Sequence, residues 1–125
     1  MVTALLNSVI LIDHLNGIPD AAEWLSETDW RSLAISSVTR AEVLAGASEH
    51  EFNHISLLLD SFSCLPLDAE IADRAAVIRR ENRLRLPDAF QAAVAERHSL
   101  MLITRNTRDF PVSQFPYVHF PYSLS

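Results

Sequence analysis

Glycine and cysteine are nearly absent from this sequence of 125 residues, which has two glycines and one cysteine. With so little glycine it has no Gly-rich loop for binding phosphate and little of the turn chemistry that an all-β sandwich requires. Cys64 cannot form a disulfide within the chain, so we expect a reducing compartment, the cytoplasm. Apolar runs such as residues 9–12 are far shorter than the roughly 20 residues of a membrane helix, so we do not expect a membrane protein.

Lysine is missing altogether, and all ten basic residues are arginine. The formal net charge is −6, which by itself argues against a general nucleic-acid binder. The charges are unevenly distributed, however: residues 1–73 hold two arginines and twelve acidic residues, and residues 74–125 hold eight arginines and four. Guanidinium groups bind phosphate oxygens through two donors at once, so Arg79, Arg80, Arg83 and Arg85 are candidate contacts to a nucleic-acid backbone. The competing interpretation is a solvated helix face.

Short apolar segments alternate with longer segments of helical periodicity, which is typical of an α/β fold with a mainly parallel sheet. Because 49% of the residues are hydrophobic and no linker or repeat interrupts the chain, we expect a single domain over residues 1–125. The predicted strands are residues 4–6, 33–36, 64–67 and 100–104, with an edge strand in residues 115–121. The first predicted helix begins at Ser8, which we expect to cap it, and the second begins at Pro19. Four further helices are predicted at about residues 39–46, 49–61, 68–84 and 87–98.

Four groups of oxygen-bearing residues follow predicted strands or begin a predicted helix. They are Asn7 and Ser8, Thr39 and Glu42, Asp88, and Thr104, Asn106 and Asp109. Ligands of α/β proteins bind outside the carboxyl ends of parallel strands, so these groups can converge there. Carboxylate and amide oxygens without thiolates suit Mg²⁺ or Mn²⁺ better than zinc.

Most of these groups also have a purely structural interpretation. Thr39 and Glu42 fit the S/T-x-x-E capping box, in which the glutamate satisfies backbone donors at a helix start. The helix dipole favours Asp88 in a first turn, and Asn106 and Asp109 are common turn residues. Asn7 is harder to explain, because it closes a buried apolar run and needs polar partners there. Together, the four groups favour a site over coincidence.

Four blocks of sequence carry these residues: LLNSVILI at 5–12, SSVTRAE at 36–42, LPDA at 86–89 and LITRNTRDF at 102–110. In order and spacing they resemble the signature motifs of PIN-domain ribonucleases, most closely those of the VapC toxins. The resemblance implies a PIN-like three-layer α/β/α sandwich with a mainly parallel sheet. It also implies a Mg²⁺-dependent endoribonuclease of a type II toxin–antitoxin system, with Mn²⁺ as a substitute cation. Such a toxin is restrained by a VapB-type antitoxin, and is expected to form a homodimer and a higher complex with that antitoxin.

The resemblance also implies roles for individual residues. The family's first metal-binding aspartate falls on Asn7, its glutamate on Glu42, its third acid on Asp88, and its fourth on Asn106 or Asp109. Ser8, Thr39 and Thr104 match hydroxyl residues that support the site, and Arg79, Arg80, Arg83 and Arg85 would contact RNA. In this interpretation Asn7 and Asp88 would bind the metal directly.

Asn7 departs from the family pattern. Asparagine keeps the shape of aspartate but lacks its charge, and Mg²⁺ sites rely on one or two carboxylates. We therefore expect weak metal binding and an inactive or weakened enzyme. The chain is either a naturally weakened member or one disarmed by substitution, since an active ribonuclease toxin poisons the cell that makes it, and the sequence leaves both open.

Two alternatives come from other classes of function. His50, Glu51 and His54 match H-E-x-x-H, the helix motif of zinc hydrolases. Helical periodicity predicts that Phe52, Ile55 and Leu59 form the buried face there, which would turn both histidines towards solvent. The second alternative is a non-catalytic PIN-like binding module whose acidic cluster captures a basic segment of a partner.

Overall fold

The computed structural model describes residues 1–124. Its strands are β1 (Ala4–Leu6), β2 (Leu33–Ser36), β3 (Ser63–Leu65), β4 (Met101–Ile103) and β5 (Val118–His119). Its helices are α1 (Ser8–Leu15), α2 (Pro19–Glu27), α3 (Ser37–Ala45), α4 (Phe52–Leu59), α5 (Ala69–Asn82) and α6 (Leu86–Arg97), with a short 3-10 turn at Trp30–Ser32. The strands form one parallel sheet in the order β3-β2-β1-β4-β5.

The centre of the sheet is buried on both faces because strands β1, β2 and β4 carry apolar residues on both sides, as is typical of parallel sheets. Leu5 of β1 and Leu102 of β4 lie in a core with α5 and α6. Their neighbours Leu6 and Ile103 point the other way, into a second core with α1 to α4. Helices therefore cover both faces of the sheet. The predicted three-layer α/β/α architecture with a parallel sheet is confirmed.

Polar residues at the strand ends also begin the next helices. The side-chain oxygen of Asn7 accepts a hydrogen bond from the Val9 amide and caps α1. The Ser36 hydroxyl accepts from the Thr39 amide and caps α3. The prediction that Ser8 caps α1 is wrong by one residue, and the capping box of Thr39 is wrong because α3 already begins at Ser37.

The remaining element boundaries differ from prediction by a few residues. Strand β3 lies at residues 63–65 and not 64–67, because its partner β2 pairs with Ser63 to Leu65. Helix α4 is shorter than predicted and spans Phe52–Leu59. The edge strand β5 is confirmed between Pro116 and Pro121. Within residues 1–124, the structure contains no helix with the length and hydrophobicity needed to span a bilayer.

Candidate metal-binding site

Asn7 lies at the centre of the sheet edge formed by the carboxyl ends of the strands. It directly follows the central strand β1, and its backbone amide donates to Ile103 O at the end of β4, 2.9 Å away. Only 4% of the residue is exposed. The side-chain oxygen lies 3.1 Å from the Val9 amide nitrogen, so the start of α1 fixes its orientation.

Ser8 connects Asn7 to Glu42. Its hydroxyl donates to the Glu42 carboxylate, with 3.0 Å between Ser8 Oγ and Glu42 Oε1, and lies 3.5 Å from Asn7 Oδ1. Ser8 is buried and Glu42 is half-buried, so this contact is partly shielded from water. The first turn of α1 and the second turn of α3 are thereby joined through the candidate site, and Glu42 makes none of the capping contacts of a capping box.

Asp88 brings a buried carboxylate to the same edge from the first turn of α6. The residue is 7% exposed, and this burial raises the pKa of its carboxyl above the ordinary value. Arg85, with its Nε 3.4 Å from Asp88 Oδ2, lowers the pKa in part, while the charge of Asp109 raises it. The Asp88 carboxyl is therefore buried beside an arginine and is affected by the charge of a second acid.

The loop after β4 holds Asn106 and Asp109 in a compact turn. The Asn106 amide donates to the hydroxyl of Thr104, which is fully buried, at 3.1 Å. The Asn106 side chain donates to Asp109 Oδ2 at 2.7 Å and accepts from the Asp109 amide at 3.2 Å. Asn106 thus fixes the Asp109 carboxylate, whose charge also acts on Asp88.

Asp13 is a site-supporting residue that the sequence analysis missed. It is 4% exposed on α1 and accepts two hydrogen bonds from Arg105, at 2.5 Å from Nε and 3.0 Å from Nη2. The Tyr122 hydroxyl donates to the same carboxylate at 2.8 Å. Because Arg105 lies between Thr104 and Asn106, this contact ties the loop after β4 to α1. An acidic residue inside the apolar stretch VILIDHL was the available signal.

A second missed residue is Gln91, which is 1% exposed on α6. It donates to the hydroxyl of Thr39 and accepts from the hydroxyl of Ser36 at 3.3 Å. Its neighbours Ala89, Ala92 and Ala93 are buried as well, so the signal was a lone amide within an alanine-rich helix. Thr39 lies beneath the site, away from solvent.

The donors gathered at this edge suit a hard cation in type, although two of the positions hold neutral amides. All are carboxylate, amide or hydroxyl oxygens, the ligand type that Mg²⁺ and Mn²⁺ prefer. Two of the positions are asparagine, Asn7 and Asn106. Across residues 1–124 no three His, Cys, Asp or Glu side chains lie in an arrangement that could hold a metal ion. The residues therefore fit Mg²⁺ in donor type, but within the described residues their carboxylates do not form a ready-made metal-binding cluster.

The four candidate arginines lie at the junction of α5 and α6. Salt bridges from Arg74 to Glu96 and from Arg97 to Glu70 join the start of α5 to the end of α6, so the two helices are antiparallel. The end of α5 consequently lies beside the start of α6, which carries Asp88. Arg79, Arg80, Arg83 and Arg85 are all exposed at this junction.

The zinc-hydrolase alternative finds no site in the structure. His50 and Glu51 precede α4, which begins at Phe52, so the H-E-x-x-H residues do not share one helix. All three, with His54, are exposed. The predicted buried face is correct for Ile55 and Leu59 but wrong for Phe52, which is 46% exposed because it lies at the helix start beyond the core.

Known proteins share both this sequence pattern and this fold. The family model of the PIN domain matches residues 4–113. Ribonuclease VapC10 of Mycobacterium tuberculosis is 38% identical over 114 residues, covering 86% of each chain. A toxin–antitoxin complex from Klebsiella pneumoniae contains a chain that is 37% identical, with a TM-score of 0.88 and coverage of 98% of this chain and 100% of that one. FitAcB from Neisseria gonorrhoeae has a TM-score of 0.78 at 25% identity, with coverage of 98% and 100%. This chain belongs to the PIN-domain family and, within it, to the VapC group.

Proposed function

We propose that this chain is the toxin of a type II toxin–antitoxin pair, built as a Mg²⁺-dependent endoribonuclease and disarmed by Asn7. The observation that carries the proposal is the position of Asn7. It lies at the end of the central strand, beside Ser8 and Glu42, where the family has its first metal-binding aspartate. Similarity to a protein named ribonuclease VapC10 supports the nuclease activity.

Asn7 and Asp88 would hold the cation, with Glu42, Asn106 and Asp109 completing the ring of oxygens around it. Bound there, Mg²⁺ would polarise the scissile phosphate and lower the pKa of an attacking water, and Mn²⁺ would substitute for it. The chain's own residues orient these groups. Ser8 fixes the Glu42 carboxylate and Asn106 fixes the Asp109 carboxylate, each through a hydrogen bond of 3.0 Å or less.

Asn7 weakens this arrangement for two physical reasons. Its amide oxygen carries only a partial charge, and it already accepts the Val9 amide hydrogen at 3.1 Å. Its amide nitrogen presents positive hydrogens to a cation, whereas aspartate would present a second oxygen. The weakened site would bind Mg²⁺ poorly and retain little or no turnover.

The exposed arginines give the proposed RNA substrate a path to the site. Arg79 and Arg80 lie in the last turn of α5, Arg83 caps that helix, and Arg85 precedes α6. The Arg85 side chain is 75% exposed and also lies 3.4 Å from Asp88. A phosphate bound by this surface would be held next to the acidic edge, where the proposed cation would offset its repulsion.

The proposed antitoxin fits a groove that begins at Glu42. The groove is about 320 Å³ in volume and is lined by apolar residues of α1, α3 and α4, with Glu42 and Glu51 as its acidic members. A partner segment with apolar side chains and one basic residue would match this surface. The Klebsiella pneumoniae relative comes from a toxin–antitoxin complex, which supports such a partner. Leu57, 69% exposed on α4, offers apolar surface for the proposed homodimer.

The proposal is tested by Asn7→Asp, which we call the restored variant. It should bind Mn²⁺ at least about 10-fold more tightly than the unmodified chain in calorimetry, because it supplies a second anionic ligand close to Asp88. It should also cleave RNA in Mg²⁺ and lose that activity in a chelator. The matched control is Asp88→Asn in the restored variant, which keeps the shape of the site but removes one charge and should abolish cleavage.

Two results would contradict the proposal. Equal Mn²⁺ affinities for the unmodified chain and the restored variant would show that Asn7 does not face a cation site. Tighter metal binding without cleavage of any RNA would favour the non-catalytic binding module, provided that the chain still captured a basic antitoxin peptide.

A further inference from the structure

A ring of buried hydrogen bonds lies one helical turn below the acidic edge. Its members are Ser36, Thr39 and Gln91, which are 0%, 0% and 1% exposed. Gln91 Nε2 donates to Thr39 Oγ1, the Ser36 hydroxyl donates to Gln91 Oε1 at 3.3 Å, and the Thr39 amide donates to Ser36 Oγ at 3.2 Å. The ring joins the interior of α6 to the start of α3.

The spacing of the helices connects this ring to the site. Gln91 lies three residues after Asp88 on α6, and Thr39 lies three residues before Glu42 on α3. Residues three apart are neighbours on a helix surface. The bond between Gln91 and Thr39 therefore crosses between α3 and α6 one turn from each of the two carboxylates.

We propose that Gln91 is a positioning residue, which sets the separation of Glu42 and Asp88 through its bond to Thr39. The inference rests on the proposed function, since it assigns Gln91 to the same cation site. Glu42 in the second turn of α3 and Asp88 in the first turn of α6 carry like charges, whose repulsion pushes the two helices apart. The buried ring opposes this movement and so limits how far apart the two carboxylates can lie.

Packing alone does not account for Gln91. The surrounding residues Ala89, Ala92 and Ala93 are small and apolar, and a leucine of similar size would fill the same space. Replacing both partners of a buried hydrogen bond with apolar groups of similar shape is often nearly neutral for stability. If Gln91 serves only packing, replacing Gln91 and Thr39 together with apolar residues should leave metal binding unchanged. If Gln91 positions the two carboxylates, the same replacement should weaken metal binding.

The test uses the pair Gln91→Leu and Thr39→Val in the restored variant. The double change takes the acceptor from the Ser36 hydroxyl, so the melting temperature should fall by several degrees with the fold retained. Mn²⁺ binding should weaken about 10-fold or more, as it usually does when outer contacts of metal sites are removed. Cleavage should fall in kcat with little change in the KM for RNA. Thr39→Ser, which keeps the hydroxyl, should retain the Mn²⁺ affinity. Gln114→Leu is the matched control, because Gln114 is exposed and far along the chain from both carboxylates.

Unchanged Mn²⁺ affinity in the folded double variant would overturn the inference, as would an equal loss in Gln114→Leu. Amide hydrogen exchange distinguishes failure of this inference from failure of the proposed function, because exchange is measured without metal. In the unmodified chain, Gln91→Leu should speed exchange in the early turns of α3 and α6 at least about 10-fold relative to Gln114→Leu. If the restored variant binds no Mn²⁺, the proposed function fails, and unchanged exchange rates then overturn the positioning role independently.

Discussion

Replacing Asp13 with asparagine should lower the free energy of unfolding by about 3 kcal/mol. The Asp13 side chain is 6% exposed and accepts hydrogen bonds from Arg105 at 2.5 and 3.0 Å and from Tyr122 at 2.8 Å. Removing one partner of a buried ion pair costs about 3 to 5 kcal/mol. The Arg105 side chain is 31% exposed, so water recovers part of the loss and the lower value applies. For a chain of this length, the melting temperature should fall by about 12 °C.

The pH dependence identifies the charge as the cause. Burial raises the pKa of Asp13, but the hydrogen bonds from Arg105 and Tyr122 lower it more, so the net shift is downward. The stabilisation is therefore complete above the unfolded pKa of about 3.9 and is lost as the pH falls through the lower folded value. Urea unfolding should show the full difference in the free energy of unfolding between the unmodified chain and Asp13→Asn at about pH 6. Below about pH 4 that difference should become smaller. A constant difference would refute this account.

Asp60→Asn is the matched control for Asp13. Asp60 pairs with Arg40 at 2.9 Å, but its side chain is 59% exposed. Exposed ion pairs contribute about 0 to 1 kcal/mol, so this variant should unfold at nearly the same urea concentration as the unmodified chain. Equal losses in the two variants would show that burial does not determine the strength of these pairs.

Three further outcomes are expected. Changing Arg79 and Arg80 together to glutamine should weaken RNA binding and flatten its salt dependence in filter-binding titrations, since fewer counterions are released. Arg83→Gly should raise the free energy of unfolding by about 0.5 to 1 kcal/mol in urea, because Arg83 has a left-handed φ of 57° that suits glycine. Alanine at both His50 and His54 should leave RNA cleavage by the restored variant intact, and loss of cleavage would return the zinc hydrolase as a candidate.

Strands β1, β2 and β4 could be predicted from the sequence because each is a short apolar run followed by polar residues. Their order in the sheet could not, since β1 pairs with β2 and with β4, almost 100 residues away in sequence. The boundaries of helices and strands differ from the predicted ones where contacts with other elements determine them. Ser36 caps α3 in place of Thr39 because β2 ends at Ser36 and the helix begins at the next residue.

The candidate site, too, could be predicted only in part from the sequence. Positions next to a strand, such as Asn7 and Asn106, follow from local sequence, and the resemblance to PIN domains suggests their roles. The contacts that support the site could not be predicted from local sequence, because they join residues far apart in the chain. Asp13 meets Arg105 across 92 positions, and Ser36 meets Gln91 across 55. A polar residue within an apolar helical stretch was the only local sign of either.

These buried contacts bear on what the restored variant should do to stability. Asn7 is 4% exposed, so Asn7→Asp places a fourth carboxylate at the edge that already holds Glu42, Asp88 and Asp109. The helix dipole of α1 favours the charge by less than about 1 kcal/mol, while burial and repulsion cost more. In a chelator the restored variant should therefore melt several degrees below the unmodified chain. Mn²⁺ at about 100 times the Kd of the restored variant should add about 2.7 kcal/mol to it but only about 1.4 kcal/mol to the unmodified chain, if that chain binds about 10-fold more weakly. The gap between the two melting temperatures should therefore close. If Mn²⁺ raised both melting temperatures equally, the cation would be binding elsewhere.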